Sequence, residues 1–353
     1  MTNAYDAQQS RGLLPAWGYL LGIGVVAYGI VPLLASDYVY DAILAPFLAL
    51  SLAAVGLNLL TGYAGQVSLG SAAFMAVGAF AAYNFDLRID GLPFILSVLF
   101  AGLTAAGFGV VFGLPSLRLK GFYLALSTLA AQFFVEWALT KFDWFSNYNS
   151  SGVIDAPPIV IFGVPFSGPS GRYYFALTVV LLLSAFAARL VNTQTGRNFI
   201  AVRDNETAAR IIGVPVFKTK LLAAAVSSFI IGIAGILWAF AYLRTVEPHG
   251  FNLDRSFEIL FIIIIGGLAT LRGAFLGAAL IVVLPLVLSR IGTLLLGGYF
   301  NSGVLDMSQR ILIGALIIVF LIVEPDGLAA LWIRARNRFG TLTSRRPPRE
   351  ATA

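Results

Sequence analysis

The chain alternates long apolar runs with short polar interruptions, and the run lengths carry the first inference. A helix rises 1.5 Å per residue, so roughly 17–25 apolar residues cross a ~30 Å hydrocarbon layer. Runs of that order lie near Leu14–Leu34, Ala42–Leu60, Val67–Tyr83, Leu92–Leu114, Gly121–Thr140, Tyr173–Val191, Leu221–Leu243, Phe257–Leu271, Ala274–Ile291 and Arg310–Val323. They predict an all-α polytopic membrane protein with about ten transmembrane helices. The eighth and tenth are short, the mark of a tilted, broken or re-entrant segment.

The interruptions set the orientation. Asn192–Lys220 is the longest polar stretch in the second half and holds Arg197, Arg203, Arg210, Lys218 and Lys220 against Asp204 and Glu206. Basic loops stay in the cytoplasm. Placing the amino terminus inside puts this loop, Arg118, Lys120, Arg272 and the arginines of the carboxyl tail on the same side. The outer connections then carry Asp37, Asp41, Asp86, Asp90, Asp143, Asp155, Glu247, Asp254 and Asp306, with few basic residues. An even number of spans keeps both termini cytoplasmic. The expected division is a tail over 1–13, a membrane domain over 14–330 and a basic tail over 331–353 that reads as disordered.

Composition agrees: 353 residues, 59% hydrophobic and only 11% charged, with a mean hydropathy of +0.87. No cysteine and a single histidine exclude disulfides and leave no Cys/His metal site. A pI near 9.6 raises nucleic acid as a partner, but the basic residues follow the loops rather than a stripe.

Within the basic loop, Asp204–Gly213 reads as one short helix. Asp204 or Asn205 caps it, Glu206 sits in its positive first turn, and Gly213 with Pro215 ends it. About two turns of helix are marginal in water, so this one is expected to dock on another protein. A second informative stretch is Gly56–Tyr83, where Thr61-Gly62-Tyr63-Ala64-Gly65-Gln66 breaks two apolar segments. Backbone opened at membrane depth must face protein or a watery cavity, the usual setting of a substrate pathway. Asn58, Thr61, Gln66, Ser68 and Ser71 could solvate a zwitterion without a buried charge; a tight turn with small packing residues explains the same spacing. Gly266-Gly267, Thr270 and Gly273 interrupt the second half in a similar way, a hint of an internal repeat around one site. Gly273 and Gly277 also fit close helix packing.

The chain shows no nucleophile–base pair, no phosphate-binding glycine loop and no carboxylate at a clear midplane position; Glu136 and Glu258 fall near outer span ends. A protein that moves a solute with none of this equipment needs energy from a partner. An ion-coupled carrier working alone is the competing class.

Three motifs then carry a family resemblance: LNLLTGYAGQVSLGSAAF at Leu57–Phe74, the stretch from Gly196 to Ala239 beginning GRNFIAVRDNETAARIIGVP, and IIGGLATLRGAFLGAAL at Ile264–Leu280. Over roughly Leu50–Asp326 the chain resembles LivM-type permease subunits of branched-chain amino acid ABC transporters. The resemblance implies an ABC importer permease fold in a bacterial inner membrane, and substrate received from a periplasmic binding protein. It implies pairing with a second related permease and with two cytosolic ATPase subunits, which bind ATP and Mg²⁺; this chain itself binds no cofactor. Glu206-Thr207-Ala208-Ala209 with Gly213 resembles the ATPase-coupling signature, and Arg197, Arg203 and Arg210 become candidates for contacts with acidic groups on the ATPase. Family members commonly carry histidine after Ser-Leu-Gly, where this chain has Ser71. Related permeases serve urea and short amides; the Leu60–Gln66 form is closer to the amino-acid branch. The expected pathway residues are Asn58, Thr61, Gly62, Gly65, Gln66, Ser68, Ser71, Gly266 and Gly267. The expected coupling residues are Gly196, Arg197, Arg203, Asp204, Asn205, Glu206, Ala208, Ala209, Arg210 and Gly213.

Overall fold

The computed structural model describes residues 26–31, 35–116, 122–149, 152–161 and 163–296, with isolated positions between 307 and 334. The runs near Leu14–Leu34 and Arg310–Val323, and both tails, lie wholly or largely outside the described residues. Besides short helical turns at Val26–Ile30 and Pro248–Phe251, ten helices follow one another between residues 35 and 296: α1 (Asp37–Tyr63), α2 (Ser71–Arg88), α3 (Phe94–Ser116), α4 (Phe122–Lys141), α5 (Pro169–Val191), α6 (Gln194–Asp204), α7 (Glu206–Ile211), α8 (Val216–Leu243), α9 (Leu253–Gly266) and α10 (Leu271–Leu296). Five of them, α1, α3, α5, α8 and α10, contain stretches long and apolar enough to cross a membrane.

Burial separates these five into two kinds. In α1 and α8, 83% and 72% of the apolar window is covered by protein, against 28–39% in α3, α5 and α10. The first two are therefore the centre of the bundle, and the others present apolar side chains such as Leu103, Leu182 and Phe186 to whatever surrounds it. Without a hydrophobic driving force between helices in lipid, close backbone contact has to hold them together. At the α2–α8 crossing a Cβ on Gly235 would lie 2.0 Å from the Met75 carbonyl oxygen, and one on Gly78 2.2 Å from that of Gly232. Only glycine fits at both positions.

Helix ends depart from the apolar runs in several places. The predicted span at Val67–Tyr83 begins only at Ser71, because Gly65 takes a left-handed φ of +70° and the chain runs without helix to Gly70. The span expected at Phe257–Leu271 is α9, which starts at Leu253 under an Asn252 cap and stops at Gly266. Its side-chain cap accepts from the Arg255 N–H at 3.1 Å. Glu258, read as an outer-end carboxylate, sits in the second turn of α9 in an ion pair with Arg255, whose guanidinium lies 3.9 Å from the Trp238 ring.

The long connection between α4 and α5 is ordered by two short antiparallel ladders. Ile154–Asp155 pairs with Thr245–Val246, and Val160–Ile161 with Val164–Pro165. At the same end of the bundle Asp41 accepts from Arg172 at 3.0 Å and from Arg244 at 3.4 Å. These two cations belong to connections read from sequence as carrying few basic residues; both face the one carboxylate of Asp41, at the start of α5 and just past the end of α8.

Candidate functional site

The polar loop after α5 is mostly helical. The short helix expected over Asp204–Gly213 is α7, and a helix not expected from the sequence, α6, precedes it: Asp204 closes α6, and Asn205 between them adopts extended backbone (φ −160°, ψ 108°). The Asn205 Oδ1 accepts from the N–H groups of Thr207 and Ala208, both at 3.0 Å, and so caps α7. Gly213, at φ +87°, reverses the chain after it, and Val214 N–H returns to the Ala209 carbonyl at 2.9 Å. A six-residue helix needs tertiary support. Ala209 supplies it by packing, fully buried, against Val202 of α6 and Val216 of α8. Gly196 allows α6 to fold back on α5, since a Cβ there would meet the Val191 carbonyl oxygen at 2.1 Å.

The exposed side of this small unit is apolar at its end. Ile211 and Ile212 are 81% and 73% exposed, with Phe217 beside them in sequence at 57%. Arg210 and Ala208 are exposed as well, whereas Arg197 is held by Gln194 Oε1 at 3.0 Å. Sequence reading named the charges and the alanines and passed over Ile211-Ile212. The available signal was two adjacent large aliphatics in an otherwise polar loop.

The opposite side of the unit is joined to the break between α1 and α2. Arg203 extends across Gly65 and donates from Nη1 to the Gly62 carbonyl at 2.8 Å, while its Nε donates to Asp204 at 2.9 Å. It therefore points inward, not only toward a partner as first expected. Glu206 forms an ion pair with Lys220 of α8, and the Lys220 carbonyl accepts from Gln66 Nε2 at 3.1 Å. Thr61 Oγ1 in turn donates to the Gln66 carbonyl at 3.1 Å. Two chains of contacts thus connect α6 and α7 to Gly62–Gln66.

That break touches its counterpart in the second half. Asn58 is fully buried on the last turns of α1; its Nδ2 donates to the Thr270 carbonyl and its Oδ1 accepts from Ala269 N–H, both at 2.9 Å. The linker it grips is the interruption between α9 and α10, where Gly267 (φ 113°) and Ala269 (φ 57°) leave helical geometry. Gly62 must lack a side chain for this contact, because a Cβ would lie 2.1 Å from Asn58 Oδ1 and 2.4 Å from Ala269 N. Gly266 is as closely approached by Gly273, since a Cβ on it would lie 2.0 Å from the Gly273 carbonyl oxygen. The structure therefore brings Asn58, Thr61, Gly62, Gly65, Gln66, Gly266 and Gly267 into one region beside α6 and α7.

Ser68 and Ser71 lie apart from that junction, around the start of α2. A helix starting inside a bundle leaves free N–H groups that need partners. Here Leu69 N–H donates to Thr128 Oγ1 at 2.9 Å, Ala72 N–H to Ser256 Oγ at 2.9 Å and Ala73 N–H to Gln132 Oε1 at 2.7 Å. Ser68 Oγ accepts from Gly70 N–H at 3.4 Å, and the buried Ser71 Oγ makes no hydrogen bond. Sequence reading missed Thr128, Gln132 and Ser256. The first two stand four apart on α4, one helical face, which was the only trace of them.

Two cavities stand out among the described residues. The larger, about 830 Å³, is enclosed by α2, α3 and α4 with Phe80, Phe108, Phe134 and Trp144 in its walls, and holds none of the expected site residues. The smaller, about 320 Å³, opens between the break and the α6–α7 unit and is lined by Gln66, Arg203, Asp204, Asn205, Glu206 and Lys220 among others. No group of residues suited to a metal ion occurs among the described residues.

The family model for the branched-chain amino acid transport system permease component matches residues 39–321. LivM of Escherichia coli K12, a high-affinity branched-chain amino acid transport permease protein, is 30% identical over 299 residues, 78% of this chain and 66% of the relative. The chain thus spans just under two thirds of that relative's length. A probable LivM of Methanocaldococcus jannaschii is 29% identical over 200 residues (55% and 56% of the two chains). The autoinducer 2 import permease LsrC of Enterobacter sp. is 31% identical over 195 residues (54% of each). No solved structure matches.

Proposed function

Since the chain belongs to the branched-chain amino acid transport permease family and is an ABC-type permease, we propose that it is the membrane subunit of an ATP-driven importer. Its cargo in this reading is a branched-chain or other hydrophobic amino acid, taken from a periplasmic binding protein across a bacterial inner membrane. A second permease subunit and two ATPases complete the assembly, with ATP and Mg²⁺ on the ATPases. The amino-acid branch is favoured over the autoinducer branch because the match to LivM runs through 78% of the chain and that to LsrC through 54%.

The observation that carries the proposal is the two-sided α6–α7 unit. One side offers an exposed aliphatic knob, Ile211-Ile212, on a helix too short to stand alone. The other is tied by Arg203 and Lys220 to the Gly62–Gln66 break. In this reading an ATPase grips the knob, and nucleotide-driven closure moves α7. The hydrogen bonds carry that movement to the break, which opens or shuts the route for substrate. Gly62, Gly65 and Gln66 then act as hinge residues, and Asn58 joins them to the second interruption.

Co-purification tests the docking side. Ile211→Ala with Ile212→Ala removes exposed apolar area only, so the permease folds as before. Burying two such side chains is worth about 1.5–3 kcal/mol each, so association with the ATPase subunits is expected to weaken at least tenfold. Association at the original strength would place the ATPase contact elsewhere.

A further inference from the structure

The smaller cavity is lined by four charged side chains whose charges sum to zero. Two cations, Arg203 and Lys220, and two anions, Asp204 and Glu206, face about 320 Å³ of space, with Gln66 and Thr207 between them. They stand as two ion pairs, Arg203 with Asp204 and Lys220 with Glu206. A simple anion or cation gains at one pair and is repelled at its partner. A small ligand carrying both charges on one carbon satisfies both signs at once, which is the chemistry of an α-amino acid. Access is graded: the Asp204 side chain is 62% exposed and Arg203 34%, while Lys220 is 10% and Glu206 26% exposed. Such a ligand enters past the first pair and meets the second inside.

We propose that this cavity is an α-amino acid site on the ATPase-facing side of the break, and that its occupant slows transport. The walls come from four bodies: the break (Gln66), α6 (Arg203), α7 (Glu206, Thr207) and α8 (Lys220). A ligand bridging all four holds together segments that must shift when α7 is pulled. Amino acid accumulating on the delivery side then acts as a brake on its own import. The brake rests on the permease reading above; the binding does not.

Binding is read on the full chain in lipid nanodiscs by saturation-transfer NMR with L-leucine. Asp204 is largely exposed, so its contact is screened, and Asp204→Asn is expected to weaken the leucine signal about threefold to fivefold. Thr207→Trp, which fills the space from an exposed position, should abolish it. 3-Methylbutylamine and 4-methylpentanoate, each carrying one of the two charges, should bind at least tenfold more weakly than leucine. Equal leucine signals in wild type and both variants, or equal binding of the one-charge analogues, overturns the site. In inverted proteoliposomes of the complex, L-leucine added with ATP should reduce hydrolysis in wild type and not in Thr207→Trp; unchanged hydrolysis at saturating leucine overturns the brake. If no ATPase subunit associates, the permease reading fails while the NMR result still decides the site.

Discussion

Asn58→Leu is expected to lower the unfolding midpoint of the purified chain sharply and to abolish uptake. The leucine is of similar size and more apolar, so burial of the side chain is not the loss. What is lost is the partner of two backbone groups, the Ala269 N–H and the Thr270 carbonyl, each held at 2.9 Å. An interhelical hydrogen bond in a membrane protein averages only about 0.6 kcal/mol, because groups set free in a bundle find new partners. These two cannot easily do so. They lie in a non-helical linker whose turn is set by Gly267 at φ 113° and Ala269 at φ 57°. Abandoned buried groups cost about 1–3 kcal/mol each; Ala269 and Thr270 are part-buried, so about 2–6 kcal/mol is the upper bound for the pair, against roughly 5–15 kcal/mol for a whole fold. Thr61→Val is the control: it removes one hydrogen bond, to the Gln66 carbonyl, from a half-buried site. Thermal unfolding in detergent decides the matter. A midpoint shift for Asn58→Leu no greater than for Thr61→Val would show that the two breaks are not fastened here.

The two interruptions themselves were legible in sequence, and for a physical reason. Glycine clusters such as Gly62/Gly65 and Gly266/Gly267 in apolar runs are costly unless the backbone leaves helix, so they report the breaks directly. Their meeting was not legible, because Asn58 and Thr270 are far apart in the chain and nothing local in either motif encodes the other. The short helix after Asn205 was read from its cap and from Gly213, both local signals. Its start was left open between Asp204 and Asn205, which are equally good caps by type; the extended backbone at Asn205 settles the choice. The caps of α2 were invisible for the reason that hid the contact between Asn58 and Thr270. Gln132 and Ser256 act across the bundle, on residues of α2 far from them in sequence, and nothing beside either in the chain names that partner.

Arg203→Ala is expected to leave ATP hydrolysis by the assembled complex running while uptake falls at least tenfold. Arg203 is a positioning residue: it donates to the Gly62 carbonyl at 2.8 Å and lies along Gly65, so it links α6 to the break without touching the exposed knob. A charged donor on a backbone carbonyl is worth about 1.5–3 kcal/mol, enough to change the coupling between two bodies by tenfold or more. Its side chain is one-third exposed, so truncation leaves no large void, and the exposed Ile211 and Ile212, proposed above as the ATPase contact, are untouched. Arg203→Lys retains the charge but replaces a fork, able to serve Asp204 and Gly62 together, with a point charge. Partial recovery is the expected result. The measurement is the ratio of substrate imported to ATP hydrolysed in proteoliposomes. A mere loss of stability would depress both quantities together and keep the ratio, whereas a severed link lowers the ratio. A ratio unchanged in Arg203→Ala would mean that the movement reaches the break through Lys220 and Gln66 alone.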